Sequence, residues 1–349
     1  MPVPAPIPVV LLTGFLGAGK TSLLNHLLHQ RDARVGVVVN DFGSVGVDAM
    51  LVAGQVDAMV SLANGCLCCA TDPAELDTLF QRLTVPRLGI DVIVVEASGL
   101  AEPRAMARMV LGSNSSRIRY GGLVQVVDAL EFDAGRSRHP VLERHLRLAD
   151  LVVLNKADLV SPERLAALRG ELARIVRTVP IQPTTYGRVD PRLLFDPPTG
   201  QRRRAVTQLS FDDLLLPEMP AAHLHDGYRS VTVATGPVEP RAFVEFLEHP
   251  PAGLFRVKGR VEFAVAGEPR AFVVQLVGSQ LRFVPDNGRL PGRTTLVFIG
   301  VDLSEGDVRA GLARAEPRGA APLDAQALLP VWRHVELRAT APPTPKARR

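Results

Sequence analysis

The fold is decided by the stretch Val9-Val10-Leu11-Leu12-Thr13-Gly14-Phe15-Leu16-Gly17-Ala18-Gly19-Lys20-Thr21. Its apolar beginning is typical of a buried strand, and residues 22–28 carry apolar side chains at helical spacing. The eight residues 14–21 fit the pattern G-x-x-x-x-G-K-[ST], which could also be a glycine-rich turn. Because a strand precedes it and a helix follows, we interpret it as a phosphate-binding loop.

Each residue type in this loop has a chemical reason to be there. Glycines let backbone N–H groups approach phosphate without a Cβ clash, and the positive end of the following helix faces the same anion. Lys20 is expected to contact the β- and γ-phosphates, and the Thr21 hydroxyl to ligate Mg²⁺. The predicted nucleotide-binding residues of the loop are Gly14, Gly17, Ala18, Gly19, Lys20, Thr21 and Ser22.

A second motif indicates which base is bound. Asn155-Lys156-Ala157-Asp158 directly follows the apolar run Leu151-Val152-Val153-Leu154. A carboxylate at Asp158 can accept both the N1–H and the exocyclic amine of guanine, a pair that adenine does not offer. These residue types are common in turns, but at a strand end downstream of a phosphate-binding loop they predict GTP rather than ATP.

Two further segments are candidates for switches that sense the nucleotide. The run Val92-Ile93-Val94-Val95 ends at Glu96 and continues to Gly99, a place where a carboxylate can hold Mg²⁺ and a glycine N–H can sense the γ-phosphate. The polar segment 40–48, with Asp41, follows another apolar run. The alternatives are a solvated carboxylate and an ordinary polar loop. The predicted catalytic residues are Lys20, Thr21, Asp41 and Glu96, with Thr21 and Glu96 at Mg²⁺.

All three cysteines of the chain lie in one short segment, at Cys66, Cys68 and Cys69. In an irregular loop two or three of these sulfurs can converge on one ion, and thiolates suit Zn²⁺, Co²⁺ or Cu⁺ better than Mg²⁺. Three thiolates do not complete a tetrahedral structural site, which suits an ion that must leave again. Buried packing and a redox-active dithiol remain alternatives, as does the choice of ligating pair.

The ordered motifs GFLGAGKT at 14–21, NDFGSVGVD at 40–48, NGCLCC at 64–69, EASGL at 96–100 and NKAD at 155–158 resemble the CobW family of metallochaperone GTPases. Residues 223–230, 255–259 and 296–300 resemble motifs of that family's C-terminal domain, so the likeness covers roughly residues 7–318. The resemblance implies a GTPase that binds a transition metal, more readily Zn²⁺ than Co²⁺, and delivers it to a metal-requiring client protein.

The sequence departs from the family pattern at three places. The usual Asn-Glu-Phe-Gly-Glu is Asn-Asp-Phe-Gly-Ser at 40–44, which removes one acid from any metal site there. A long histidine run is reduced to His223 and His225, whose role stays open. Ser98 replaces a common Thr and keeps the hydroxyl.

Composition limits the number of domains, the cellular compartment and the classes of partner that can be expected. The 349 residues, 46% apolar and 22% charged, suffice for two domains with their own cores. Clustered cysteines do not form a disulfide framework, and the N-terminus lacks a signal-peptide or membrane-span pattern, so we expect a cytoplasmic protein without membrane contact. A net charge of +4, with basic stretches at 202–204 and 346–349 that contain no aromatic residues, does not predict nucleic-acid binding.

Strand-like runs at 8–12, 35–39, 92–95, 123–127 and 151–154 alternate with helical stretches and predict a doubly wound, mostly parallel α/β sheet with helices on both faces. We expect a GTPase domain at 1–200, a linker at 201–226, a small α+β domain at 227–320 and a C-terminal extension at 321–349, unfolded at 339–346. The small domain is predicted from strands at 228–234, 260–265 and 271–277 and helices at 240–247 and 304–315.

The resulting hypothesis is a slow GTPase whose nucleotide state changes the metal affinity of the cysteine loop, which lies between the two switch candidates in sequence. A homodimer is left open. One rival is a regulatory GTP-binding switch with structural cysteines, and another is a thiol redox protein with a vestigial nucleotide site. The remaining histidines, at 26, 29, 139, 145, 249 and 334, are expected to be solvated or structural.

Overall fold

The computed structural model describes residues 5–29, 33–39, 58–61, 73–97, 102–139, 141–196, 229–267, 271–286, 293–317 and 323–335. These residues form two sheets, one of seven strands and one of five. No helix in these ranges is long and apolar enough to cross a membrane. The predicted linker at 201–226 and the predicted unfolded segment at 339–346 lie outside the described residues, and the domain boundaries stay predictions.

The larger sheet is parallel in every pairing, with the strand order β3-β2-β4-β1-β5-β6-β7. Its strands are β1 (Ile7–Gly14), β2 (Val35–Val39), β3 (Ala58–Ser61), β4 (Val92–Glu96), β5 (Ile118–Asp128), β6 (Leu151–Asn155) and β7 (Ile181–Pro183). The helices between them are α1 (Lys20–Leu28), α2 (Pro73–Leu83), α3 (Pro103–Leu111), α4 (Phe132–Arg138), α5 (Leu142–Leu146) and α6 (Pro162–Val176), and α7 (Pro191–Leu194) follows β7. The predicted doubly wound sheet is thereby confirmed.

Apolar residues on both faces explain why this sheet is covered on both sides. In β4, Val92 and Val94 belong to one apolar cluster, whereas Ile93 and Val95 belong to the other. Helix α1 packs on the first cluster, and helices α2, α3 and α6 pack on the second. Because parallel strands end together, polar residues after β1, β4 and β6 are brought to one edge.

The smaller sheet is antiparallel, with the order β11-β10-β9-β12-β8. Its strands are β8 (Arg229–Thr235), β9 (Leu254–Val261), β10 (Ala271–Val277), β11 (Gln280–Asp286) and β12 (Thr294–Gly300). Helices α8 (Pro240–Glu248), α9 (Glu305–Arg314) and α10 (Leu329–Trp332) accompany it. Aromatic rings pack against one another in its core, where Phe243, Phe263, Phe272 and Phe283 form a connected cluster of ring contacts.

The predicted strand at 260–265 is wrong in its bounds. Strand β9 begins six residues earlier and ends at Val261, and Phe263 and Val265 form only isolated bridges. The face of β9 opposite the core carries Arg256, Lys258 and Arg260 rather than neutral side chains. Because of these cations, the sequence pattern does not show where the strand begins. Strands β11 and β12 are not among the predicted strands either.

The two sheets share a core. Phe255, Val277 and Ile299 of the smaller sheet belong to the same buried cluster as Val10 and Val124 of the larger one. The contact is tight, since a Cβ on Gly122 would lie 3.1 Å from both the Phe255 ring and the Val277 side chain. Apolar burial therefore holds the smaller sheet against the parallel one.

Candidate functional site

The phosphate-binding loop follows β1 and depends on glycine at two points. Gly14 has φ 146°, and a Cβ there would lie 2.5 Å from the Val126 carbonyl oxygen. Gly19, the residue before α1, has φ 98°, and its Cβ would lie 2.1 Å from Asn155 Nδ2. L-amino acids with side chains rarely adopt such φ values, so the loop backbone requires glycine where the motif has it. Gly17 is at the exposed tip.

Lys20 opens helix α1 with its side chain turned back into the loop. The residue is buried, and its Nζ donates to the carbonyl oxygens of Gly14 at 3.0 Å and Phe15 at 3.3 Å. A lysine ammonium that is buried under a concave loop offers a point charge to an anion seated there. Ser22, two positions further along α1, is exposed, and Ala18 is a buried residue of the loop.

Thr21 and Glu96 meet although they come from different elements. The Thr21 hydroxyl donates to Glu96 Oε1 at 3.2 Å, and Glu96 is 4% exposed at the end of β4. Thr21 is in helix α1, which follows β1, and β1 is the direct neighbour of β4, with Leu12 opposite Glu96. A hydroxyl and a carboxylate at this separation are a fitting oxygen donor pair for Mg²⁺.

Asn155 ties the guanine motif to the phosphate loop. Its buried side chain donates from Nδ2 to the Ala18 carbonyl at 2.9 Å and accepts at Oδ1 from the Gly187 N–H, also at 2.9 Å. The Asn155 amide therefore connects three segments: the end of β6, the phosphate-binding loop and the loop that contains Gly187. The loop around Gly187, which follows β7, was missed by sequence reasoning because it has no phosphate motif.

Lys156 and Asp158 diverge from the same strand end. Lys156 has φ 59°, and its Nζ lies 2.6 Å from Asp128 Oδ2 at the end of β5. Asp158 lies in a short 3-10 helix, Ala157–Leu159, and is exposed. The carboxylate of Asp158 thus faces solvent, where a base can reach it. Asp128 was also missed, although a polar residue at the carboxyl end of β5 is the signal that could have found it.

An aromatic stack lies beside the loop. The Phe15 ring packs on His139, with centroids 4.8 Å apart, and is 6.2 Å from that of His145. Burial lowers the pKa of His145, against the opposing attraction of Glu102 at 3.7 Å. Both rings lie against Phe15, so the two histidines are packing partners of the loop, as a structural role requires.

Several predicted site residues lie outside the described residues. These are Asp41, Gly99, the cysteines Cys66, Cys68 and Cys69, and the histidines His223 and His225. Within the described ranges, no group of three or more His, Cys, Asp or Glu side chains is arranged to hold a metal ion. The described part of the chain thus brings together Lys20, Thr21, Glu96 and Asn155.

The fold and this loop define a nucleotide-binding protein of the phosphate-loop class. The family model for the CobW/HypB/UreG nucleotide-binding domain matches residues 8–183, and that for the cobalamin synthesis protein CobW C-terminal domain matches residues 229–316. The chain belongs to the CobW/HypB/UreG family, which confirms the resemblance seen in its motifs.

Two relatives are similar over most of their length. The zinc chaperone CobW of Sinorhizobium sp is 31% identical, with 88% of this chain and 96% of that protein covered. The zinc chaperone YjiA of Escherichia coli is 30% identical, with 88% and 98% covered. The zinc-regulated GTPase metalloprotein activator 1 of Schizosaccharomyces pombe is 35% identical, but only 53% of this chain and 47% of that protein are covered.

Among solved structures, the Zn(II)-bound YjiA GTPase from E. coli is 24% identical and covers 90% of this chain and 100% of that one, with a TM-score of 0.44. That score is too low to compare sites. Family membership, together with the names of the relatives, supports GTP hydrolysis as an enzymatic activity.

Proposed function

We propose that this chain is a GTPase that couples its nucleotide state to the binding and delivery of a transition metal. The observation that carries the nucleotide half is the convergence of Lys20, Thr21 and Glu96 under a loop whose backbone requires glycine. This arrangement supplies a cation, a hydroxyl and a carboxylate at the end of a strand–loop–helix unit. Those are the groups that phosphoryl transfer uses.

Within that proposal, each residue has a distinct task. Lys20 would leave the carbonyl oxygens of Gly14 and Phe15 for the β- and γ-phosphates, since a phosphate oxygen is a stronger acceptor than a neutral carbonyl. The N–H groups at the start of α1 would face the same anion. Thr21 and Glu96 are the residues that would hold Mg²⁺, which when bound neutralises charge on the phosphate oxygens.

The residues at and just after the end of β6 would select guanine. Asp158 is exposed and can accept two N–H groups from guanine. Lys156 is held by Asp128, so its aliphatic stem has a fixed direction beside the base site. Asn155 would act on the base only indirectly, by fixing the distance between this strand end and the phosphate loop. Gly99 and Asp41 are the proposed γ-phosphate sensors.

The metal half of the proposal is supported by the relatives and by the cysteine chemistry. Two relatives that match along nearly their whole length are named zinc chaperones. Cys66, Cys68 and Cys69 provide thiolates, which bind Zn²⁺ and Co²⁺ well. We therefore propose Zn²⁺ as the cargo ahead of Co²⁺, and a metal-requiring client protein as its recipient. A cytoplasmic location stays a prediction, and a homodimer stays open.

The test is a competitive Zn²⁺ and Co²⁺ titration of the reduced protein with GTP and Mg²⁺ and again with GDP. We expect tighter metal binding with GTP, and by linkage an equal tightening of GTP by the metal, at a coupling of about 1 to 3 kcal/mol. Thiolate ligation of Co²⁺ gives an intense near-ultraviolet band that carboxylate ligation lacks. That band should weaken with GDP.

The matched control is a variant with all three cysteines changed to Ser. It should lose the Co²⁺ band and keep GTP binding, because the phosphate loop is untouched. Equal metal affinity in both nucleotide states would instead support a GTP-binding switch without metal transfer. Dithiol oxidation that is indifferent to GTP would support the redox alternative.

A further inference from the structure

A cleft of about 840 Å³ opens between the two sheets, far from the phosphate loop. It lies at the amino ends of β1 and β5, beside Pro6 and Ile118, whereas the phosphate loop is at the carboxyl end of β1. The strand advances seven residue steps from Ile7 to Gly14, roughly 23 Å at 3.3 Å per residue. The cleft is therefore not part of the nucleotide site. Its volume is within the range of small-molecule sites, about 300 to 1,000 Å³.

The charged side chains that line this cleft are all cationic. Arg119 comes from β5, Arg282 from β11, and Arg333 from the segment after α10. Among the described residues that line the cleft, none is Asp or Glu. Since Arg119 and Arg282 come from different sheets and Arg333 from a third segment, the positive charge is brought together by tertiary packing.

Three carboxylates close to the cleft residues are already engaged. Asp196 pairs with the buried Arg256 at 3.0 Å and also contacts Lys258. Asp150 accepts from the Tyr120 hydroxyl and, at 2.9 Å, from the Leu123 N–H. Glu248 lies 3.2 Å from His334, whose ring is on the cleft wall.

Arg119 experiences this excess of positive charge most directly. Within the described residues it forms no ion pair shorter than 4.0 Å, and Asp196 acts on it only at longer range. Burial, followed by repulsion from Arg256 and then Arg282, lowers the pKa of Arg119 to about 10 despite the attraction of Asp196. The guanidinium remains charged at neutral pH, and an oxyanion would relieve both the desolvation and the repulsion.

The rest of the wall fits an organic body rather than a bare ion. Val110, Leu111, Ile118, Val277 and Leu281 provide apolar surface. Polar side chains that can orient a ligand alternate with them, namely Asn114, Ser116, Gln275 and Gln280. An apolar wall with a few convergent polar groups is typical of a small-molecule site.

We propose that this cleft binds a small organic polyanion, whose phosphate or carboxylate groups are held by Arg119 and Arg333. Guanidinium groups bind both oxyanions in the same bidentate geometry, so the two sources share one recognition chemistry. A ligand seated there would contact both sheets at once.

The test is calorimetric titration of the metal-free protein with two probes, inorganic pyrophosphate for the phosphate arm and tricarballylate for the carboxylate arm. Every protein carries Lys20→Ala, so that the phosphate loop contributes as little as possible. We expect saturable binding with a dissociation constant below about 1 mM for at least one probe, and the tighter probe identifies the source. The parent is compared with versions that add Arg119→Gln, Arg333→Gln or Arg314→Gln.

Each cleft substitution removes a charge-assisted contact and should weaken binding by about tenfold or more. Arg314→Gln removes the same charge from the exposed end of α9, away from the cleft, and should change affinity less than about twofold. Arg333 is exposed, so its variant keeps the test valid if Arg119→Gln does not fold. Absence of saturable binding of either probe, or equal weakening by all three substitutions, would overturn the proposal while leaving GTP hydrolysis by the wild-type chain untouched.

Discussion

Replacing Asn155 by Ala should destabilise the protein strongly, because this one amide satisfies two buried backbone groups. It is 2% exposed, donates to the Ala18 carbonyl and accepts from the Gly187 N–H, each at 2.9 Å. Loss of a hydrogen bond that strands a buried partner costs about 1 to 3 kcal/mol. Two such losses give about 2 to 4 kcal/mol, after allowance for water entering the space. For a domain of this size, that predicts a melting temperature lower by roughly 5 to 15 °C.

The measurement is scanning calorimetry of nucleotide-free protein, with GTP binding measured on the same samples. Asn25→Ala is the matched control, since Asn25 is on the neighbouring helix α1 and its Oδ1 has no hydrogen-bond partner within the described part of the chain. That control should be neutral or slightly stabilising, because Ala favours the helix and removes a buried unsatisfied oxygen. If Asn155→Ala lowers the melting temperature no more than Asn25→Ala, the two hydrogen bonds of Asn155 do not stabilise the phosphate-binding loop.

The substitution Asn155→Asp tests the same two hydrogen bonds through the pH dependence of stability. One carboxylate oxygen can still accept from Gly187, but the other then faces the Ala18 carbonyl oxygen, where a donor is needed. Folding therefore favours the protonated acid and raises the pKa of this carboxyl above its unfolded value near 3.9. Stability linked to a raised pKa is present below the unfolded pKa and is lost as pH rises. The variant should approach the wild type as pH falls toward 4, and a gap that stays constant would contradict the geometry.

Three further predictions concern single side chains. Lys20→Ala should abolish GTP hydrolysis and weaken nucleotide binding by on the order of 2 to 3 kcal/mol, and wild-type turnover would rule out its assigned role. Asp158→Ala should weaken GTP binding strongly and barely change ATP binding in an equilibrium assay, and a wild-type preference for ATP would contradict guanine selection. Burial alone would raise the pKa of Asp196, but Arg256 and Lys258 outweigh it and lower that pKa. Stability from Asp196 should therefore be full above about pH 4 and be lost at lower pH, so wild-type protein should lose more stability than Asp196→Asn between pH 6 and pH 3, as monitored by thermal unfolding.

The phosphate loop could be predicted from sequence because its determinants are local. The φ values at Gly14 and Gly19 exclude residues with side chains, and these glycines lie within a few positions of the lysine they serve. Runs such as those in β4 and β6 are apolar at successive positions, which is typical of strands covered on both faces. The doubly wound fold follows from these patterns and was confirmed.

The smaller sheet was harder to predict because its strands do not have a uniform pattern. Strand β9 carries cations on the face away from its core, and its pairing with β12 depends on Gly259, where a Cβ would lie 2.1 Å from the Thr295 carbonyl oxygen. That close approach involves a strand about 35 positions away. Neither the beginning of β9 nor the existence of β11 is encoded in a short window.

The chain's own sequence thus determined the class of protein, the phosphate loop and the candidate guanine motif, since each depends on backbone sterics and side-chain periodicity within a few residues. Only the tertiary structure decided that Asn155 reaches Ala18 across 137 positions, that Thr21 meets Glu96 across 75, and that Arg119 shares a cleft with Arg333. The reason is physical. Such contacts are set by how strands order and sheets pack, and the free energy of that packing is summed over the whole core rather than carried by any one segment.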